Sequence, residues 1–331
     1  MFDRIWLTYK QQRFETLAVA VVCLGAAALA LLASWHLNSV GVPASCLVDG
    51  GVPYWNGPAN ASWIPVACQL PSQRFTDALT SLDVGLASSL GDVLPFFVGI
   101  AIGAPLVARE LEQGTAPLSW SLAGARWKWL AGRILAALLL IVPLLLIAGL
   151  AADVLRGAQE PGIPHASFHN FTSRGVFFVL WGVAALMGSV VLGALFGRTM
   201  PVVVVALIVC LFARATWEPL TDRYLLHGMA VLEMPGVQSP GELLVYQSDV
   251  LYLDGKVYTG TDCTLSNGVI ECQYAPGHEP DPSSIGPQPA WYVITGDNYW
   301  QVVALESAIM LAGSLVFGAF ALYWVGRRRP Y

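Results

Sequence analysis

Residues 107–129 read VARELEQGTAPLSWSLAGARWKW. LPFFVGIAIGAPL (94–106) stands immediately before them and ILAALLLIVPLLLIAGLAA (134–152) follows soon after, both almost wholly apolar. A chain that is 56% hydrophobic and only 12% charged thus gathers Arg109, Glu110, Glu112, Arg126 and Lys128 between two greasy runs. Soluble domains carry about 25% charged residues, and apolar runs of about 20 residues are what a helix needs to cross a bilayer. The chain therefore reads as an all-α integral membrane protein, with this stretch as a polar turn between two spans.

Six spans are expected, at 14–37, 90–108, 130–152, 175–196, 200–217 and 300–325. Lys and Arg set their orientation, because cytoplasmic segments are enriched in them. With the N-terminus inside, the inner segments hold Arg4, Lys10, Arg13, Arg109, Arg126, Lys128, Arg133, Arg198 and Arg327 to Arg329. The outer segments hold only Arg74, Arg156, Arg174, Arg214, Arg223 and Lys256. Both termini are thus expected in the cytoplasm, with 107–129 a cytoplasmic loop.

Between the spans lie outer loops at 38–89 and 153–174 and a large outer segment at 218–299. Cys46, Cys68, Cys263 and Cys272 all fall in these outer segments, where disulfides persist. Cys23 and Cys210 fall in spans, where a thiol acts as a small apolar group. In CTLSNGVIEC (263–272) the Asn267–Gly268 pair suits a two-residue hairpin turn. Counting outward from Ser266 and Val269 pairs Cys263 with Cys272 at a non-hydrogen-bonded site, where alpha carbons approach to about 4.5 Å and a disulfide is compatible. Cys46–Cys68 follows by elimination. SDVLYLDGKVYTG (248–260) carries a second hairpin signal at Asp254–Gly255. The large segment thus reads as a small disulfide-bonded, β-containing extracellular domain, ending in the Pro-rich 276–289.

Ahead of the first span, MFDRIWLTYKQQR (1–13) places Phe2, Ile5, Trp6 and Tyr9 at helical spacing. This fits an amphipathic helix in the inner interface; a basic lead-in that only sets topology is the plainer alternative. After the last span, the chain ends in a basic cytoplasmic tail within 300–331.

Within 107–129, ARELEQGT can prolong the second span as a helix that Gly114 stops. A short segment then leads into the third span. A helix end, a glycine break and an amphipathic stretch suit a docking site for another protein, but they equally suit a turn that carries positive-inside charges. Glu110 and Glu112 are two apart, so on one helix they cannot share a face. One should meet a partner while the other packs inward or meets Arg109.

The pattern Arg109-Glu110-Leu111-Glu112-Gln113-Gly114-Thr115 at the inner end of a second span resembles the signature of the ABC-2 type transporter permeases. SWSLAGARWKWLAGR (119–133) resembles the tract before that family's third span, and RIWLTYKQQRFETL (4–17) resembles the opening of actinobacterial members. The resemblance implies an export-type subunit of a bacterial plasma membrane. It would pair with a second permease subunit, itself or a sister, and with a cytoplasmic ABC ATPase that binds beneath. It makes Arg109, Glu110, Glu112, Gly114 and Thr115 coupling candidates, with Trp6, Tyr9 and Arg13 as secondary contacts. None would be catalytic. ATP and Mg would sit on the ATPase, because this chain has no G-x-x-x-x-G-K-[ST] phosphate loop. SLAGARWK (121–128) lacks the strand–loop–helix setting. No cofactor or nucleic-acid partner is expected on the chain itself, and its membrane partner is lipid.

Three weaker signals remain. His165 and His169 in HASFHN have a spacing that can put two imidazoles on one helix face, but Pro161 and Pro164 precede them and no further ligand follows, so no metal is expected. Arg214 and Glu306 lie at similar depth in two spans, where they could pair as an intramembrane clamp or reach interfacial water. Gly99–Gly103 and Gly193–Gly197 each form G-x-x-x-G, usable within one subunit or between two. A membrane-integral enzyme built around the two histidines, and a membrane sensor or receptor, are the alternative functions.

Overall fold

A computed structural model of the chain describes residues 13–47, 65–115, 125–162, 168, 171–221, 231–233, 243–253, 256–258, 263–266, 269–272, 288–294 and 298–327. Among these, seven helices occur in chain order: α1 Arg13–Val40, α2 Val66–Leu79, α3 Leu82–Glu112, α4 Arg126–Gln159, α5 Gly175–Phe196, α6 Thr199–Thr221 and α7 Tyr299–Arg327. All but α2 are long and apolar enough to cross a membrane, so the chain is a multi-pass membrane protein. Hydrocarbon offers no partner to a backbone N–H or C=O, and a helix satisfies both within itself.

Two spans are far longer than the apolar runs suggest. At 1.5 Å per residue, the 31 residues of α3 reach about 46 Å and the 34 of α4 about 51 Å. The hydrocarbon core is about 30 Å thick. Their polar ends therefore stand clear of it, which the apolar count at 90–108 and 130–152 does not register. Pro95, Pro105 and Pro143 sit inside these helices, and both run on through them. Pro201 falls in the first turn of α6, where a missing N–H is harmless.

The helices form one compact unit (1–162, 170–215 and 304–331). Its principal seams join α3 to α5 and α1 to α4. Val98, Ile102, Leu106, Leu130, Ile141, Leu145, Leu186 and Val190 are fully enclosed in its main core. The α3–α5 seam is made close by glycine. A Cβ on Gly99 would stand 2.7 Å from Ala185 Cβ and would strike the Gly182 carbonyl. One on Gly103 would stand 2.7 Å from the Leu186 carbonyl oxygen and would overlap Ser189 Oγ. One on Gly193 would stand 3.3 Å from the Ala104 carbonyl oxygen. The Gly99–Gly103 pair and Gly193 thus serve packing within the chain. Gly197, the other half of the second motif, instead ends α5 with φ +67. The buried residues of α7 recur almost every fourth position: Val302, Glu306, Met310, Ser314, Ala321 and Val325. One stripe of that helix is covered while Leu315, Val316 and Phe320 are not.

The stretch 38–89 is more than a loop. It contains α2, whose Cys68, Ser72, Phe75 and Ala78 are buried at helical spacing. Phe75 packs with Leu37 of α1, Val84 of α3 and Leu155 of α4. Val66 and Leu70, on other faces of α2, are exposed. A disulfide joins Cys46, in a short 3-10 turn (Ala44–Cys46), to Cys68 of α2, with alpha carbons 5.4 Å apart. Cys23 and Cys210 are free. Closing the 22-residue separation is worth about 3 kcal/mol by loop entropy. The Cys46→Ser, Cys68→Ser chain should therefore unfold at a lower temperature in detergent, and mild reduction should bring the unmodified chain toward it.

A second unit comprises 163–169 and 216–303. Strands β1 Val231–Glu233, β2 Leu243–Leu253, β3 Lys256–Tyr258 and β6 Gln288–Ile294 form an antiparallel sheet in the order β1-β6-β2-β3. β4 Cys263–Ser266 and β5 Val269–Cys272 form a separate antiparallel pair. Leu253 pairs with Lys256 around Asp254–Gly255, and Ser266 pairs with Val269 around Asn267–Gly268. Cys263 and Cys272 face each other in register. Their side chains, and hence the expected bond, lie outside the described residues. So do Trp6, Tyr9, His165 and His169.

Candidate functional site

The charged stretch begins as the last turn of α3 and stops at a defined point. Gln113 N–H donates to the Arg109 carbonyl (3.0 Å), Gly114 N–H to Leu111 (3.3 Å) and Thr115 N–H to Glu110 (3.1 Å). These last two bonds are the paired 5→2 and 6→1 bonds of a Schellman cap. Gly114 holds φ +69, and no atom would crowd a Cβ there. The glycine is needed for its backbone angle, not for space.

Each of the three charged groups ahead of that cap reaches a different helix. Arg109 Nη1 donates to Glu15 Oε1 of α1 at 2.8 Å. Glu110 forms an ion pair with Arg133 of α4, with both side chains only 12% exposed. Arg133 also donates from Nη1 to the Leu106 carbonyl at 3.2 Å, and its guanidinium lies 4.5 Å from the Trp129 ring centre. Glu112 Oε2 accepts from Thr199 of α6 twice, from the backbone N–H at 3.1 Å and from Oγ1 at 2.8 Å.

These links differ in strength. The Arg109–Glu15 pair is partly solvated, with side chains 48% and 33% exposed, and such pairs contribute about 0–1 kcal/mol. Glu110–Arg133 is shielded, so losing either partner leaves a buried charge. Glu112 is exposed, and its hydrogen bonds go to a helix end. Two carboxylates in the last turn of α3 oppose the negative end of its dipole. Glu110 is offset by the Arg133 guanidinium, and Glu112 by the positive end of α6.

Basic residues at the start of α4 oppose its dipole as well. Arg126 and Lys128 stand in its first turn, where positive charge is unfavourable. Lys128 Nζ lies 5.5 Å from the ring centre of the exposed Trp127. The helix dipole therefore does not account for these cations. Together these residues make a stiff, charged end to the bundle with three helices tied to one short segment. The sequence marks Arg109, Glu110, Glu112, Gly114 and Thr115 but not their partners Glu15, Arg133 and Thr199. The only sequence signal for Arg133 is a lone cation four residues into an apolar run.

The opposite end holds a second polar set. His36 Nδ1 meets Asp83 Oδ2 at 2.8 Å. Arg156 Nη2 lies 3.7 Å from Asp92 Oδ1, Gln159 Nε2 donates to Ser88 Oγ at 2.8 Å, and Arg174 Nη1 donates to Asp153 Oδ1 at 3.3 Å. These contacts tie the far ends of α1, α3, α4 and α5 together. Glu306 has no exposed surface, and Arg214 is half-buried. Among the described residues no group of three or more His, Cys, Asp or Glu side chains could hold a metal.

None of the curated proteins and none of the solved structures matches the chain. A family model does, over residues 54–221, which spans α2 through α6 and the whole charged stretch. Half the chain is matched, and the match takes in the helix pattern and the charged end together: the chain belongs to the family described as ABC-2 membrane transporter related.

Proposed function

We propose that this chain is the permease subunit of an ATP-driven exporter, with a cytoplasmic ABC ATPase docked at the charged end around residues 107–129. The family match over 54–221 carries the reading. The shape of the charged end supports it, because a lever needs a rigid arm with a defined stop, and left-handed Gly114 closes the cap that follows α3. On this reading both termini and the charged stretch face the cytoplasm of a bacterium, and the β-containing unit faces outward. A second permease subunit, identical or sister, completes the path through the surrounding lipid. The aromatic-rich composition favours an amphipathic or lipophilic substrate. Arg109, Glu110, Glu112, Gly114 and Thr115 are the proposed docking residues, with Trp6, Tyr9 and Arg13 as secondary contacts. ATP and Mg bind the partner.

The test is co-purification with a cytoplasmic ABC ATPase from the same organism, followed by transport in sealed vesicles. The chain alone should show no ATP turnover, and the complex should hydrolyse ATP. Turnover by the chain freed of its partner would point to an enzyme instead. Charge reversal should separate the two acids. Glu110→Lys places a cation against buried Arg133 and should reduce the yield of folded protein. Glu112→Lys should leave folding intact and lower transport. If both variants assembled and transported at the unmodified level, the docking assignment would fail.

A further inference from the structure

We infer that Glu112 is a positioning residue that latches the start of α6 to the end of α3, so that α6 follows the charged stretch when it moves. This rests on the permease reading for its consequence but on geometry for the latch. The first turn of a helix leaves N–H groups without intrahelical partners. In α6, Thr199 is the first helical residue and Pro201 the third, so proline has already removed one of those donors. The Thr199 N–H and Oγ1 both donate to a single carboxylate oxygen from a different helix, 87 positions earlier in the chain. The charge of Arg198 acts on the same carboxylate.

The contact stands at the start of a helix that is thinly covered by the bundle. Only Gly197 and Arg198 separate α5 from α6, and Gly197 adopts a left-handed conformation that leaves the chain free to turn sharply. Along its length α6 is thinly covered: Met200, Val204, Ile208 and Phe212 are exposed, whereas Val202 and Ala206 are buried. Lipid-facing apolar surface gives no preferred position relative to the bundle. By contrast the end of α3 is held to α4 by the shielded Glu110–Arg133 pair. The bundle thus has a fixed arm, α3 with α4, and a lightly held helix, α6, joined through exposed hydrogen bonds that can break and re-form without stranding a buried charge. Such a joint is suited to reversible motion.

Hydrogen exchange on the purified full chain tests the latch without any transport. Glu112→Ala and Thr199→Val should each speed exchange of the amides at 199–206 by about fivefold to tenfold, the loss expected for a helix cap. The double variant should be no faster than Glu112→Ala, because Glu112→Ala already removes both hydrogen bonds, including the Oγ1 bond that Thr199→Val removes. Glu112→Gln keeps an acceptor oxygen and should recover part of the protection. Exchange at 100–110 should not change. Unaltered exchange at 199–206 in both single variants would overturn the latch. In vesicles holding the complex with its ATPase, Glu112→Ala should lower the amount transported per ATP hydrolysed while ATP turnover persists. An unchanged ratio alongside faster exchange would overturn the transmitting role. A complex whose unmodified form does not transport would overturn the permease reading instead, with the latch still judged by exchange.

Discussion

Replacing Gly103 with leucine will prevent α3 and α5 from closing on each other, and the variant will be recovered in low yield or as aggregate. A Cβ alone at this position would overlap Ser189 Oγ and stand 2.7 Å from the Leu186 carbonyl oxygen. The obstacle is partly backbone, which cannot rotate away as a side chain end can. Overpacking of a close-packed core typically costs 1–3 kcal/mol and can exceed this, so a full leucine side chain at a glycine seam should lie at or above about 3 kcal/mol. Gly99→Val should behave similarly, because its Cβ would meet the Gly182 carbonyl and stand 2.8 Å from the Leu186 nitrogen. Gly188→Leu is the control. It lies on the same α5 helix, yet nothing stands within 4 Å of a Cβ there. Size-exclusion profiles in detergent, taken after stepwise heating, separate the two outcomes. If Gly103→Leu and Gly188→Leu survived heating equally, the α3–α5 seam would be wrongly placed.

Arg133→Ala will be the most damaging removal of a charge at the charged end of the bundle. It deletes the partner of Glu110, a donor to the Leu106 carbonyl and a cation beside Trp129. Breaking a buried ion pair from one side costs about 3–5 kcal/mol, because the surviving charge has lost its counterion and regained no water. Replacing both partners by apolar groups of similar size is expected to be near neutral. Glu110→Leu combined with Arg133→Met should therefore be much more stable than Arg133→Ala alone. Arg109→Ala, which breaks the partly solvated link to Glu15, should change stability by about 1 kcal/mol or less. Thermal unfolding of the three variants in one detergent ranks them. A double variant as unstable as Arg133→Ala would mean that the pair is not the shielded contact described.

The parts of this molecule that can be read from sequence are those governed by local chemistry. The apolar runs locate the six spanning helices found among the described residues, because a helix satisfies its backbone polar groups within itself. Gly114 announces the end of α3, because few residues other than glycine accept its backbone angle readily. The two turn pairs place β2 against β3 and β4 against β5 in register. The parts that cannot be read depend on distant neighbours. Nothing near Glu112 in the chain points to Thr199, and nothing near Glu110 points to Arg133. The polar extensions of α3 and α4 escape a search for greasy segments. α2 escapes as well, since its buried stripe is only four residues long and includes the polar Ser72. The glycine motifs are visible, but whether they face another span or another subunit depends on the tertiary arrangement.

The pairing of the spans also bears on how the chain is made. α3 finds its closest neighbour in α5, and α1 finds its own in α4. In each case another span is synthesised between the two partners. When α3 leaves the ribosome, its glycine face has only lipid or the insertion machinery to rest against, and it must wait there while α4 is made. Once α4 arrives, α1 can dock, but the ridge that fills the hollow at Gly99 and Gly103 comes only with α5. Helices that associate after insertion must here do so in an interleaved order. A nascent chain halted before residue 175 would hold three inserted spans and one closed seam. The first four spans therefore mature as a set, and the charged end acquires its last attachment, Glu112 to Thr199, only when the fifth has begun.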